Sequence, residues 1–232
     1  MARYTESIQG RQRERNEDHA YSFKLDDLYG LVVADGLGGH AAGDVASELA
    51  ARTFGDSIRR LHSGALDAEA VRLSFEDADE ALHREMATDA DTDGMGSTLV
   101  TATTAGSRAL VGNVGDSRAY LVRDGGIEQV STDHTETSYY GMAGHRRSST
   151  YLTNVVGGWE QGVQVDISEV ELAADDVLLL CTDGLTDELD DSRISHIVSR
   201  ADSVSEAGRN LVDYANRNGG RDNITVALYS PS

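Results

Sequence analysis

Strand-like runs in this chain come in clusters and helix-like runs come in pairs, an order that a strictly alternating parallel βαβ sheet does not produce. Residues 1–34 hold short apolar runs ending in Leu31-Val32-Val33-Ala34, whose β-branched content and following Asp-Gly predict strands closed by a turn. Over about 42–61 and 66–86, apolar residues recur at helical spacing: Val45, Leu49, Phe54, Ile58 and Leu61, then Val71, Phe75, Ala78 and Leu82. Strand character returns over 96–130, where Ala105-Gly106-Ser107 and Asp124-Gly125-Gly126 are short enough to turn antiparallel hairpins. Further strands are expected at 163–167, 177–181 and 224–229, and helices at about 191–200 and 203–217. Residues 138–150 are small, polar and basic, and read as a surface loop. The sum is an α+β domain of antiparallel sheets packed on each other with helix pairs outside, and 232 residues suit one such domain, 1–232, with one sizeable core.

Charge narrows the function classes. Forty Asp and Glu against twenty Lys and Arg give a net charge of −20, which sets the chain against nucleic-acid phosphates and anionic membrane surfaces, so neither is expected as a partner. Lys24 is the only lysine, and aspartates outnumber glutamates, a surface suited to staying soluble at high salt. The single Cys181 excludes an intrachain disulfide, and no charged-then-apolar leader or long apolar run is visible, so a cytoplasmic protein is expected.

The chemistry concentrates where the apolar runs end. Asn16-Glu17-Asp18, Ala34-Asp35-Gly36, Gly115-Asp116-Ser117, Thr182-Asp183-Gly184 and Arg221-Asp222-Asn223 each put an aspartate at a strand end. One such aspartate is an ordinary turn residue. Five of them, on strands whose ends align, bring carboxylates to one edge, where only cations relieve their repulsion. Oxygen donors without a His or Cys cluster favour Mg²⁺ or Mn²⁺ over zinc.

These segments also resemble, in order and spacing, the motifs of a known family. Arg13-Glu14-Arg15-Asn16-Glu17-Asp18, Val33-Ala34-Asp35-Gly36-Leu37-Gly38-Gly39-His40, Met95-Gly96-Ser97-Thr98, Val114-Gly115-Asp116-Ser117-Arg118, Leu180-Cys181-Thr182-Asp183-Gly184-Leu185 and Gly220-Arg221-Asp222-Asn223 are similar to those of the metal-dependent protein phosphatases of the 2C class. The resemblance implies a four-layer α-β-β-α sandwich with two Mn²⁺ or Mg²⁺ ions at one end. It implies hydrolysis of serine and threonine phosphomonoesters by a metal-bridging hydroxide, without a covalent intermediate. The partners it implies are phosphoserine and phosphothreonine proteins and a cognate kinase, with the phosphatase itself a monomer. The alternative is a weakly catalytic module on the same fold that binds phosphoproteins.

By the same resemblance Asp35 bridges both metals, Gly36 offers its carbonyl, and Asp183 and Asp222 complete the first site. Asp18 with Glu17 holds the second ion's waters, and Asp116 joins Asp183 at a third, weaker site, unless it is a turn residue alone. Asn223 adjoins the Asp222 ligand as a supporting residue. Arg13 matches the arginine that clamps the substrate phosphate, a task suited to a planar fork of donors. His40 is a candidate proton donor to the leaving alkoxide, although Leu37-Gly38-Gly39 separate it from Asp35-Gly36, and a helix-start role competes. His134 is expected to support the base of the 138–150 loop, which stands where the family carries a flap, and Arg146 and Arg147 are candidate contacts to an acidic phosphopeptide. Cys181 lacks the Cys-x5-Arg loop of a cysteine phosphatase and sits in an apolar run, so it reads as core.

Overall fold

The computed structural model describes residues 1–38, 42–140, 147–158 and 162–231. Two antiparallel sheets form its centre. One has the order β1 (Ala2–Ile8), β13 (Ile224–Ser230), β12 (Val177–Cys181), β7 (Arg118–Arg123), β8 (Gly126–Gln129). The other runs β11 (Asp166–Glu171), β6 (Arg108–Val114), β5 (Leu99–Ala105), β3 (Leu28–Leu37), β2 (Asp18–Leu25), with the short β4 (Gly96–Ser97) beside the end of β3. Helices α1 (Ala42–Leu61) and α2 (Ala68–Thr88) cover the second sheet; α4 (Asp191–Arg200) and α5 (Val204–Asn218) cover the first.

The apolar runs show why four layers form. In β3, Leu31 and Val33 face the other sheet, while Val32 and Ala34 face α1 and α2. In β12, Leu178 and Leu180 enter the sheet–sheet core, while Leu179 and Cys181 pack under α4 and α5. A strand covered on both faces must be apolar at every position, so these stretches read as continuous runs rather than alternations. Alanines 42, 46, 50 and 51 let α1 lie close to its sheet, and Phe54 meets Phe75 of α2 edge-on at 5.2 Å. Val45, counted with the apolar face from its spacing, is exposed.

The turns follow their residues. Asp124 and Gly125, both at positive φ, make the two-residue link between β7 and β8. Asp190 caps α4 by accepting from Arg193 N–H, and Ser203 caps α5 by accepting from Glu206 N–H. Two expectations shift. The strand expected at 163–167 is β11, Asp166–Glu171, because pairing with β6 through Arg108 and Glu171 carries it past the apolar stretch. The segment read as a loop over 138–150 is in part strand: residues 138–140 end β9 (Thr135–Tyr140) and 147–150 begin β10 (Arg147–Leu152), paired from Leu152↔Thr135 to Arg147↔Tyr140; its polar threonines and serines carry no core-facing alternation that would have signalled a hairpin. No helix among the described residues is long and apolar enough to cross a membrane.

Candidate active site

The two sheets bring their aspartates to a common end. Asp18 opens β2 and stands directly opposite Asp35, near the end of β3. Asp183 follows β12 at the start of the single-turn helix α3 (Asp183–Thr186), Asp222 precedes β13, and Asp116 lies in the turn between β6 and β7. Hydrogen bonding joins the sheets here: the Thr182 hydroxyl donates to Asp18 Oδ2 at 2.9 Å, and its oxygen accepts from Thr225 N–H at 3.1 Å.

The backbone around Asp35 is fixed on both sides. Its N–H donates to Thr98 Oγ1 at 2.9 Å, and its carbonyl accepts from Thr98 N–H and from the Ser97 hydroxyl, both at 2.9 Å. Gly36 donates to the Glu17 carbonyl at 3.0 Å, and a Cβ there would fall 1.8 Å from Gly43 O. Glycine is therefore required where β3 meets the start of α1. The close approach also brings the Glu17 carboxylate against Gly43, on whose Cβ position Glu17 Oε1 would lie at 2.9 Å.

Arg13 is carried by a loop strapped to the segment before β13. Gln12 N–H donates to Gly220 O at 3.0 Å, and Gly10 N–H donates to Asn223 Oδ1 at 3.3 Å. Asn223 itself is buried, and its own N–H donates to Asp222 Oδ1 at 2.7 Å. Its side chain thus ties the Arg13 loop to Asp222. The Arg13 guanidinium, 43% exposed, pairs with Asp222 and lies 3.9 Å from Glu17 Oε2. Burial works against its charge, but Asp222 foremost, with Asp35 and Glu17, outweighs burial and holds its pKa above the ordinary value.

The carboxylates strain against one another. Burial first, then the charge of Asp222, pushes Asp18 up to about 7 despite hydrogen bonds from Thr225 and Thr182. Burial, then Asp116, Asp222, Asp187 and Asp18, pushes Asp183 up to about 7. Asp35 is driven well above the carboxylate range by burial and by Asp18, Asp183, Asp222 and Asp116. Asp116 is raised by burial, and by Asp133 and Asp187 against the opposing Arg118. The buried Oδ1 of Asp183 has no hydrogen-bond partner.

The structure thus assembles Arg13, Glu17, Asp18, Asp35, Gly36, Asp116, Asp183, Asp222 and Asn223 at one end. His40 and Arg146 lie outside the described residues, and so does the side chain of Arg147. Cys181 is fully buried in the core, where burial pushes its thiol up to about 12, so it is no nucleophile at neutral pH. Sequence reasoning assigned no role to Thr98 or Thr182, although both stand inside motifs it singled out; a hydroxyl beside an aspartate was the available signal.

The family model for protein phosphatase 2C matches residues 9–225, which include every one of these aspartates. This chain belongs to the protein phosphatase 2C family. It is 36% identical over 233 residues to the serine/threonine phosphatase stp of Listeria innocua, covering 94% of this chain and 91% of that one. It is 30% identical to the protein phosphatase PhpP of Streptococcus pneumoniae, covering 95% and 94%. Among solved structures, the serine/threonine phosphatase PstP/Ppp of Mycobacterium tuberculosis superposes with a TM-score of 0.83 at 30% identity, over 98% of this chain and 97% of that one. The sandwich of this 2C-family chain is therefore the fold of those phosphatases.

Proposed function

We propose that the carboxylate cluster is the active site of a metal-dependent phosphatase acting on phosphoserine and phosphothreonine in proteins. The observation that carries this reading is the group of the buried Asp18 and the half-buried Asp35, Asp183 and Asp116, each raised first by loss of solvent and then by its neighbours' charge, with an unpartnered Asp183 oxygen and one arginine at the rim. Such a group calls for added positive charge, and its hard oxygen donors suit Mg²⁺ or Mn²⁺. No set of three or more His, Cys, Asp or Glu among the described residues is arranged to hold an ion by side chains alone. That is compatible with Mg²⁺, which keeps several waters and takes one or two carboxylates.

Asp35, with Gly36 O, Asp183 and Asp222, would surround one ion, in part through its waters; Asp18 and Glu17 would hold the second through water; Asp116 with Asp183 would hold a third, weaker one. When bound, the ions would supply charge to the phosphoryl oxygens and a water of lowered pKa. Arg13 does what the chain itself can do for a dianionic phosphoryl group: its fork presents parallel N–H donors to two oxygens at the exposed rim, once it exchanges Asp222 for substrate. Thr182 holds the Asp18 carboxylate and Thr98 holds the Asp35 backbone, so the site needs little reorganisation. The same reading gives the chain phosphoprotein substrates and a kinase that loads them, and takes it as a monomer of the cytoplasm at home in high salt.

The test is hydrolysis of a phosphothreonine peptide with Mn²⁺, Mg²⁺ or EDTA, at low and multimolar KCl, beside Asp183→Ala. Metal-dependent turnover lost in the variant is expected, with activity and stability rising with KCl as the −20 charge is screened. A folded protein inert in every condition would instead be a phosphoprotein-binding module.

A further inference from the structure

Both feet of the β9–β10 hairpin meet at one atom. His134 immediately precedes β9, and Asn154 follows β10 by two residues. The hairpin base is closed by Thr153 N–H donating to His134 O at 2.9 Å. Asn154 Nδ2 lies 2.8 Å from His134 Nδ1 and also donates to Gln164 O at 2.6 Å. The same Nδ1 accepts from Gly115 N–H at 3.2 Å, while His134 N–H donates back to Gly115 O at 2.9 Å. A backbone N–H can only donate, so Nδ1 must carry its lone pair, and the ring proton belongs on Nε2, 3.2 Å from Asp166 Oδ2.

Gly115 is a demanding anchor. Its φ is +105°, and a Cβ there would strike Thr98 at 2.6 Å. Thr98 in turn accepts from Asp35 N–H and shares a 2.7 Å hydrogen bond with Ser117, next to Asp116. A continuous set of contacts therefore runs from Asp35 through Thr98 and Gly115 to His134, Asn154 and the hairpin.

We infer that His134 is a positioning residue whose Nδ1 lone pair fixes the Gly115–Asp116 turn and both feet of the β9–β10 hairpin at one point, so that the hairpin holds a phosphopeptide in fixed relation to the carboxylates. The inference rests on the phosphatase reading for its catalytic consequence, but not for its geometry.

The side-chain chemistry supplies a discriminating pair of variants. His134→Asn keeps an acceptor oxygen near the place of Nδ1, whereas His134→Gln carries it out to the place of Nε2. Expected on the intact protein are an imidazole with unprotonated Nδ1 and protonated Nε2 by ¹⁵N NMR, and a Gly115 amide slow to exchange in the wild type and His134→Asn. In His134→Gln that amide is expected to exchange faster, and KM for a phosphothreonine peptide to rise about fivefold, the worth of one hydrogen bond, with a smaller change in kcat and in hydrolysis of p-nitrophenyl phosphate. A protonated Nδ1, equal behaviour of the Asn and Gln variants, or equal losses on both substrates would overturn it. A wild type inert on both substrates would instead bring down the phosphatase reading, and the NMR and exchange results would still decide the role of His134.

Discussion

Replacing Asp18 by asparagine should stabilise the metal-free protein while removing its activity. The buried Asp18 carboxyl is raised from an ordinary 3.8 to about 7, so above pH 7 the folded chain holds a charge that its surroundings oppose. A rise of that size sets a ceiling of about 4 kcal/mol on the cost. Asp35, Asp183 and Asp222 share the repulsion, so removing one charge recovers part of it, about 2 kcal/mol. The amide keeps the shape: its oxygen can still accept from Thr182, and its N–H₂ can donate to Asp35, the neighbouring carboxylate within hydrogen-bonding reach. For a domain of this size the gain amounts to a rise in Tm of about 4–8 °C. The sign with pH follows from a folded pKa above the unfolded one: the penalty is full above about 7, shrinks as pH falls toward 3.8, and is absent below it. Thermal melts in EDTA should therefore show Asp18→Asn above the wild type at pH 8, with less than about half that gap at pH 5. Added Mg²⁺ should raise the wild type more than the variant. A variant melting at or below the wild type in EDTA at pH 8 would refute the idea that these carboxylates repel one another in the empty site.

Arg13→Ala should lower kcat/KM on a phosphothreonine peptide by about 10²–10³-fold, the scale of losing a charged donor to a developing oxyanion, with Arg13→Lys in between; a loss under about threefold would remove Arg13 from phosphate binding. Gly36→Ala puts a methyl 1.8 Å from Gly43 O, so the end of β3 and the start of α1 must part; urea titration should show a loss of at least about 1–3 kcal/mol, and unaltered stability would contradict the close approach. Asp176 accepts from Arg123 Nε at 2.9 Å, Arg123 Nη2 at 2.6 Å and Ala173 N–H at 2.6 Å, and Arg123 foremost holds its pKa below the ordinary value. Its stabilisation is present above the unfolded pKa and lost as pH falls through the folded one, so Asp176→Asn should cost about 1–3 kcal/mol at pH 7 and much less in strong acid; a cost that does not change with pH would count against the ion pair.

The layers were legible because burial on both faces leaves a continuous apolar run, and the helix pairs because one buried face leaves a 3.6-residue spacing. The aspartates were legible because each stands at one end of such a run, and strands of two stacked sheets whose ends align must bring the residues at those ends together. Nothing equivalent marks β9 and β10: a polar hairpin with no core to face imposes no alternation on its sequence, so residues 138–140 of β9 and 147–150 of β10 read as loop. His134 shows a second limit. Its resemblance to a recurring family element places it at the foot of that segment, but its importance depends on which ring nitrogen faces Gly115 N–H, and a tautomer is decided by partners distant in sequence: Gly115, nineteen residues earlier, and Asn154, twenty later. The same holds for Asn223, whose neighbour Asp222 gave it away but whose partner, Gly10, lies 213 residues back. Motifs therefore expose the groups that would meet metal and phosphate, because those groups must cluster at strand ends. The partners through which other groups hold them still are exposed only by the fold, because a hydrogen bond between backbone and side chain leaves no pattern in the sequence at either end.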